Sequence, residues 1–181
     1  MSGTALLVID VQVGMFDQKM ISEMHQPEDL LAAVSRLIGA ARAASIPVIF
    51  IQHCAPAGQL LAEGTETWKI HPSIAPEPFD SVVLKRESSA FVETDLRDLL
   101  ERRGIDTVIT CGLQSEHCVS NTSLSALELG LSVVVARDAH STFSTDDDDA
   151  SEIIERQNAQ LMDLGARVLA TSAIAELFAR G

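Results

Sequence analysis

The stretch Ala5-Leu6-Leu7-Val8-Ile9-Asp10 is an uninterrupted apolar run, rich in branched residues, that ends at a carboxylate. Such a run is typical of a strand in a parallel sheet with both faces covered, because neither face of the strand carries polar side chains. It therefore predicts a buried strand whose carboxyl end presents Asp10.

Five further apolar runs follow, and amphipathic segments alternate with them. The predicted strands are 5–9, 48–51, 82–84, 108–111, 133–136 and 168–170, and the predicted helices are 28–44, 94–103, 117–129, 147–164 and 172–179. Alternation of strand and helix indicates parallel strands joined by right-handed crossovers. The sequence predicts a three-layer α/β fold, with helices on both faces of a parallel sheet. Since no linker interrupts the pattern, we expect one domain over residues 1–181.

Composition narrows the class of protein. The 181 residues include 26 acidic and 13 basic side chains, a formal net charge of −13. Nucleic acid and anionic membranes are therefore unlikely partners, since both attract basic surfaces. The three cysteines lack metal-type spacing and suggest a reducing compartment. With neither a leader-like N-terminus nor an apolar run near the ~20 residues of a membrane span, we expect a cytoplasmic protein.

Polar side chains follow the predicted strands at the edge where open parallel sheets bind ligands. They are Asp10, Gln12, Gln52, His53, Lys85, Arg137 and Asp138. The irregular connection 53–78 next to this edge is long enough to suggest a lid or pocket wall. Taken singly, Asp10 could be a solvated strand end, Lys85 a surface lysine and His53 a capping or core residue.

Cys118 differs from the other two cysteines, because it follows a strand, a glycine and a short polar turn, near the positive end of a helix. Lowering a thiol pKa from 8.5 to about 6 requires about 3.4 kcal/mol. An ammonium ~4 Å away contributes about 4 kcal/mol at an effective dielectric of 20. Lys85 together with the helix end would therefore suffice to form a thiolate if the fold brings them beside the sulfur. Asp10 would oppose this shift when ionised and would assist as a proton acceptor when the thiol is intact. Cys111 is expected in the core, and the role of Cys54 stays open.

These residues together resemble the isochorismatase-like superfamily of cysteine hydrolases. The similarity extends over nearly the whole chain and is most specific at the nucleophile segment. Its segments are 5–12, His53, Trp68-Lys69-Ile70-His71-Pro72, Val83-Leu84-Lys85, Ser89-Ala90-Phe91, 111–119 with Thr122, Ala126 and Gly130, and Asp138-Ala139.

The resemblance implies six parallel strands in a Rossmann-like order and a catalytic triad of Asp10, Lys85 and Cys118. It also implies a cis peptide bond before the nucleophile turn, by position Leu113–Gln114, and an oxyanion site formed by the backbone N–H groups of Gln114 and Cys118. A homo-oligomer, a dimer or tetramer, is expected on the same basis. Side chains that flank the strand ends or the long connection are candidate substrate-pocket walls: Gln12, Phe16, His53, Trp68, Phe91, His117 and Phe143.

Departures from better-known branches of the superfamily bear on the reaction. Enzymes that cleave the vinyl ether of isochorismate do not require cysteine at the nucleophile position, so Cys118 favours C–N hydrolysis. The metal-binding histidine set of nicotinamidases is missing around Gln52-His53-Cys54. We therefore expect a metal-independent amidase without a cofactor, acting on a small amide or ureide. An ether or ester hydrolase, or a non-catalytic binding or oligomerisation module, remains the alternative.

The run Asp146-Asp147-Asp148-Asp149 resembles a calcium-binding segment only in its charge. Calcium loops place their ligands at alternating positions around a glycine, and this run does not. Negative charge at the beginning of a helix accounts for the run.

Overall fold

The computed structural model describes residues 3–17 and 24–179. Residues 1–2, 18–23 and 180–181 of the predicted domain therefore lie outside the description. The strands are β1 (Gly3–Ile9), β2 (Val48–His53), β3 (Ser81–Lys85), β4 (Ile105–Leu113), β5 (Ser132–Ser141) and β6 (Arg167–Leu169). The helices are α1 (Pro27–Ala43), α2 (Leu96–Arg102), α3 (Ser120–Glu128), α4 (Ala150–Asp163) and α5 (Thr171–Ala179). The predicted α/β class is confirmed.

All six strands are parallel and lie in the order β3-β2-β1-β4-β5-β6. The chain builds outward from β1 to β3, then returns to the other side of β1 with β4. This reversal places a crevice beyond the carboxyl ends of β1 and β4, the usual ligand position in this architecture.

Side chains of β1 alternate between two buried layers. Leu6 and Val8 contact the layer beneath α1 and α5, whereas Leu7 and Ile9 contact the layer beneath α2, α3 and α4. All four are at most 1% exposed. The apolar run of β1 is therefore at the centre of both cores.

The starts predicted at 117 and 147 each move three residues along the chain, to Ser120 and Ala150. In place of the predicted start at 117, a π-helical turn over Ser115–Val119 precedes α3. The predicted start at 147 moves to Ala150, because Asp149 accepts a hydrogen bond from Ser151 N at 2.9 Å. Asp148 forms an ion pair with Arg156 at 2.9 Å. Asp149 thus caps the helix, and Asp148 belongs to an ion pair.

The pairing between β4 and β5 contains a register shift. Thr110 pairs with Val135, but Gly112 pairs with His140, so β5 advances five residues while β4 advances two. The extra residues of β5 lie beyond the end of β6, whose last pairing is with Ala136.

No helix in the described part of the chain is long and apolar enough to cross a membrane.

Gly112 lets β4 approach β1 beside the crevice. Its φ is +115°, and a Cβ atom built there would lie 2.0 Å from Ile9 O and 2.8 Å from Ile9 N. Backbone atoms of a central strand cannot yield, so a side chain at residue 112 would force the two strands apart.

We expect Gly112→Ala to lower the free energy of unfolding by roughly 3–5 kcal/mol, from the clash and the left-handed backbone together. Gly39→Ala is the matched control, since nothing lies within 4 Å of its added Cβ inside α1. There alanine should stabilise the protein by about 0.5–1 kcal/mol. Urea unfolding of both variants measures the difference, and equal effects would contradict the close approach of β4 to β1.

Candidate active site

Three side chains meet at the crevice from separate elements. Asp10 directly follows β1, Lys85 is the last residue of β3, and Cys118 lies in the turn between β4 and α3. Lys85 Nζ lies 2.7 Å from Asp10 Oδ2 and 3.2 Å from Cys118 Sγ. The structure thus brings together the three residues that the sequence singled out.

Asp10 has a left-handed backbone, with φ of 51°. This conformation is unfavourable for a residue other than glycine and is typical of functional sites when the surrounding fold enforces it. Asp10 N donates to Ile51 O at 2.9 Å, which ties the residue to β2. The side chain is buried, and its Oδ1 atom has no hydrogen-bond partner among residues 3–17 and 24–179. That oxygen is available as a proton acceptor.

The Lys85 ammonium lies within hydrogen-bond distance of four acceptors. Besides Asp10 and Cys118, these are Glu87 O at 3.1 Å and His53 Nδ1 at 3.3 Å. An ammonium has three protons, so the thiol sulfur and the imidazole are alternative partners for the last one. Burial by itself would lower the pKa of Lys85, but its interactions with Asp10 and Cys118 raise it above its ordinary value.

The surroundings of Cys118 include groups that oppose the thiolate as well as the ammonium that favours it. The pKa of this thiol is raised to about 11, mainly by burial and then by the charge of Asp10, whose effect exceeds the opposing effect of Lys85. The ammonium is visible in the sequence, whereas the loss of solvent around the sulfur depends on the folded chain. Burial and Asp10 thus favour the thiol over the thiolate, which gives a role to a base at the moment of attack.

The turn that carries Cys118 has π-helical hydrogen bonding, which is rare and frequently found at functional sites. Gln114 O accepts from His117 N at 3.2 Å and from Val119 N at 3.1 Å. The amide of Cys118 lies between these two donors along the chain. The Leu113–Gln114 peptide bond is cis, as the resemblance implied.

Sequence reasoning missed two polar side chains beside the sulfur. Ser88 Oγ lies 3.8 Å from Cys118 Sγ, and Asn121 Nδ2 donates to Ser88 Oγ at 2.8 Å. Asn121 follows Cys118 by one helical turn, so a polar residue three positions after a nucleophile was the available signal.

Hydrogen bonds of Gln12 and Trp68 attach the 53–78 connection to the sheet. Gln12 Nε2 donates to His53 O at 3.0 Å and Trp68 O at 2.7 Å, while Gln12 Oε1 accepts from His53 N at 2.9 Å. Trp68 Nε1 donates to the buried sulfur of Cys54 at 3.3 Å. These bonds hold His53 against Lys85. Burial and the nearby ammonium lower the pKa of His53.

The remaining predicted pocket residues lie in different places. Phe16 packs on His71, with ring centroids 4.7 Å apart. Phe143 is buried, and its backbone forms an isolated antiparallel β-bridge with Met24. His117 is exposed, with its Nε2 3.8 Å from Glu116 Oε1. Phe91 is half-buried and lines a small cavity with Ile105, at the opposite end of β4 from Cys118. Cys111 is in the core as expected, where burial raises its pKa.

Among residues 3–17 and 24–179, no group of three or more His, Cys, Asp and Glu side chains is arranged to hold a metal ion.

Comparison with known families matches residues 4–168 to the Isochorismatase domain. Over 139 residues, 77% of this chain, it is 35% identical to a streptothricin hydrolase of Streptomyces noursei. The chain spans about half the length of the first curated relatives it matches. The matched region covers 50% of this streptothricin hydrolase and 54% of a second streptothricin hydrolase.

Two further proteins support the same assignment. Identity is 28% over 170 residues to ureidoacrylate amidohydrolase RutB of Pseudomonas syringae, covering 75% of this chain and 69% of that protein. A crystal structure from Burkholderia xenovorans LB400, provisionally described as an isochorismatase, superposes with a TM-score of 0.91 at 31% identity. The superposition covers 99% of this chain and 89% of the other.

The charges around Cys118 predict opposite shifts in two variants. Asp10→Asn should lower the apparent pKa of the thiol, because it removes a negative charge that disfavours the thiolate. Lys85→Met should raise it, because it removes the cation that favours the thiolate.

The measurement is the pH dependence of Cys118 alkylation by iodoacetamide, read by peptide mass spectrometry. The unmodified protein should give an apparent pKa of about 11. A value at or below the roughly 8.5 of an ordinary cysteine, or shifts of the same sign in both variants, would contradict this charge arrangement.

Proposed function

The chain belongs to the isochorismatase family of hydrolases, and from this premise we propose that it is a metal-independent cysteine hydrolase that cleaves a C–N bond of a small amide or ureide. The observation that carries the proposal is the placement of Lys85 Nζ at 2.7 Å from Asp10 and 3.2 Å from the Cys118 sulfur. The cation thus contacts both the base and the nucleophile, an arrangement that suits covalent hydrolysis.

In the first half of the proposed reaction, Asp10 Oδ1 accepts the Cys118 proton as the sulfur attacks the carbonyl carbon. A C–S bond forms, and the carbonyl π electrons move to oxygen to give a tetrahedral oxyanion. Backbone N–H groups of Gln114 and Cys118 are the proposed donors to this oxyanion. Asp10 then gives the proton to the leaving nitrogen, and breaking the C–N bond yields a thioester and a free amine or ammonia.

In the second half, the same carboxylate removes a proton from water as the water oxygen attacks the thioester carbon. The C–S bond breaks, the acid product leaves, and the proton returns from Asp10 to the sulfur. Lys85 stabilises sulfur whenever it carries negative charge and donates to His53 Nδ1 when sulfur is acylated. One carboxylate can serve as base and then acid because in each half reaction it gives up the proton that it took, and the second half restores the proton that the sulfur lost in the first.

The proposed substrate class has two supports. Thiol attack gives a thioester-type intermediate that water can hydrolyse, and this favours acyl transfer. A relative at 28% identity is named an amidohydrolase acting on ureidoacrylate, and relatives at 35% identity are named hydrolases of streptothricin. An ester or ether hydrolase would use the same three residues but would release no ammonia or amine.

We expect Cys118→Ala to lower ammonia or amine release from a panel of small amides and ureides by at least about a thousandfold, since the covalent route is lost. Cys111→Ala is the matched control, because it removes a fully buried thiol that the proposed reaction does not use. Circular dichroism establishes that both variants are folded. Release of an alcohol without nitrogen, or turnover retained in Cys118→Ala, would refute the amidase assignment.

The proposed reaction uses no metal ion, so prolonged treatment with EDTA followed by gel filtration should leave the turnover number unchanged. Metal content is measured on the same sample by elemental analysis. Activity that falls with the metal content and returns with a divalent cation would rule out the metal-independent mechanism.

A further inference from the structure

A chain of buried hydrogen bonds connects α4 to the turn that carries Cys118. His140, near the end of β5, is 4% exposed. Its Nδ1 lies 2.7 Å from Ser115 Oγ, and its Nε2 lies 3.0 Å from Asn158 Oδ1. Ser115 is fully buried and is the first residue of the π-helical turn.

The direction of each hydrogen bond follows from Asn158. Its Nδ2 donates to Arg137 O at 3.3 Å, so its Oδ1 faces His140 and accepts. Nε2 of His140 therefore carries the proton, and Nδ1 accepts from the Ser115 hydroxyl. Burial lowers the pKa of His140, which keeps this acceptor available at neutral pH.

Hydrogen bonds from two sides hold this turn, whose π-helical form is rare in proteins. The backbone N–H of Ser120 bonds to Ser115 O and His117 O, which joins the turn to α3. Thr142 Oγ1 donates to Glu116 Oε1 at 2.8 Å, which adds a second bond from the chain just after β5. Ser115 is thus held by its backbone on one side and its hydroxyl on the other.

We propose that His140, held by Asn158, is a positioning residue for the nucleophile: it fixes Ser115 and so keeps the π-helical turn in the register that sets the Cys118 sulfur against Lys85. The inference rests on the proposed function for what the sulfur does. The position of the sulfur, however, can be measured without a substrate.

Two substitutions of His140 separate positioning from packing. The Oδ1 atom of asparagine overlays Nδ1 of histidine, so His140→Asn keeps an acceptor for Ser115 and loses the bond to Asn158. The amide of glutamine overlays Nε2, so His140→Gln keeps the bond to Asn158 and loses the acceptor for Ser115. Each variant loses one buried hydrogen bond, so their thermal unfolding should be similar.

The readout is the rate of Cys118 alkylation by iodoacetamide at a fixed alkaline pH. We expect His140→Asn to stay within about threefold of the unmodified protein and His140→Gln to fall about tenfold, the factor that losing one well-placed hydrogen bond supplies. With an amide substrate in hand, kcat should follow the same order while KM stays unchanged.

Two further variants complete the test. Ser115→Ala should slow alkylation as His140→Gln does, and the double variant should be no slower, because both remove the same bond. Ser123→Ala removes a buried hydroxyl pair with Thr110 that does not reach the turn, and should leave the rate unchanged.

Equal loss of rate in His140→Asn and His140→Gln would overturn the positioning role, as would additive losses in the double variant. Failure of the proposed hydrolase activity is a separate result, since it would leave the alkylation ratios intact while no amide is turned over.

Discussion

The ion pair between Lys85 and Asp10 is the constraint around which the site is built. Both side chains are nearly removed from solvent, and a buried charge without its partner is strongly destabilising. Lys85 is the last residue of β3 and Asp10 follows β1, so the pair can form only when β2 lies between these strands in register. The sheet order and the charge arrangement at the nucleophile therefore depend on each other.

The same pair makes the thiol less acidic and at the same time places a base beside it. Asp10 and burial both disfavour the thiolate, while Lys85 pairs directly with the Asp10 carboxylate. This arrangement avoids burying two anions together, which would be costly at such short range. Under the proposed mechanism, sulfur becomes reactive only as it attacks a substrate carbonyl carbon and loses its proton to Asp10.

Local sequence patterns were sufficient to predict the fold class and to single out Asp10, Lys85 and Cys118. Each of these residues is marked by a pattern only a few residues long. The patterns are the branched run ending at Asp10, the glycine before the Cys118 turn and the strand ending at Lys85. The thiol pKa could not be read in this way, because it depends on how much solvent the folded chain removes from the sulfur. Ser88 and His140 were also missed, since a serine in a loop or a histidine in a strand becomes significant only through residues distant in sequence. Phe91 shows the converse: it stands beside the Lys85 segment in sequence, yet it lines a cavity at the other end of β4.

The register shift between β4 and β5 explains how one strand can serve two distant parts of the fold. Because β5 gains residues there, Asp138 leaves the ladder and accepts from Thr171 N and Oγ1 at 2.7 Å, which fixes the beginning of α5. Two residues later His140 rejoins the sheet beneath the nucleophile turn. The distance between Asp138 at the start of α5 and His140 at the Cys118 turn is set only by the number of residues between them. Insertions or deletions at this bend would therefore act as mutations of the active centre, even though they change none of its residues.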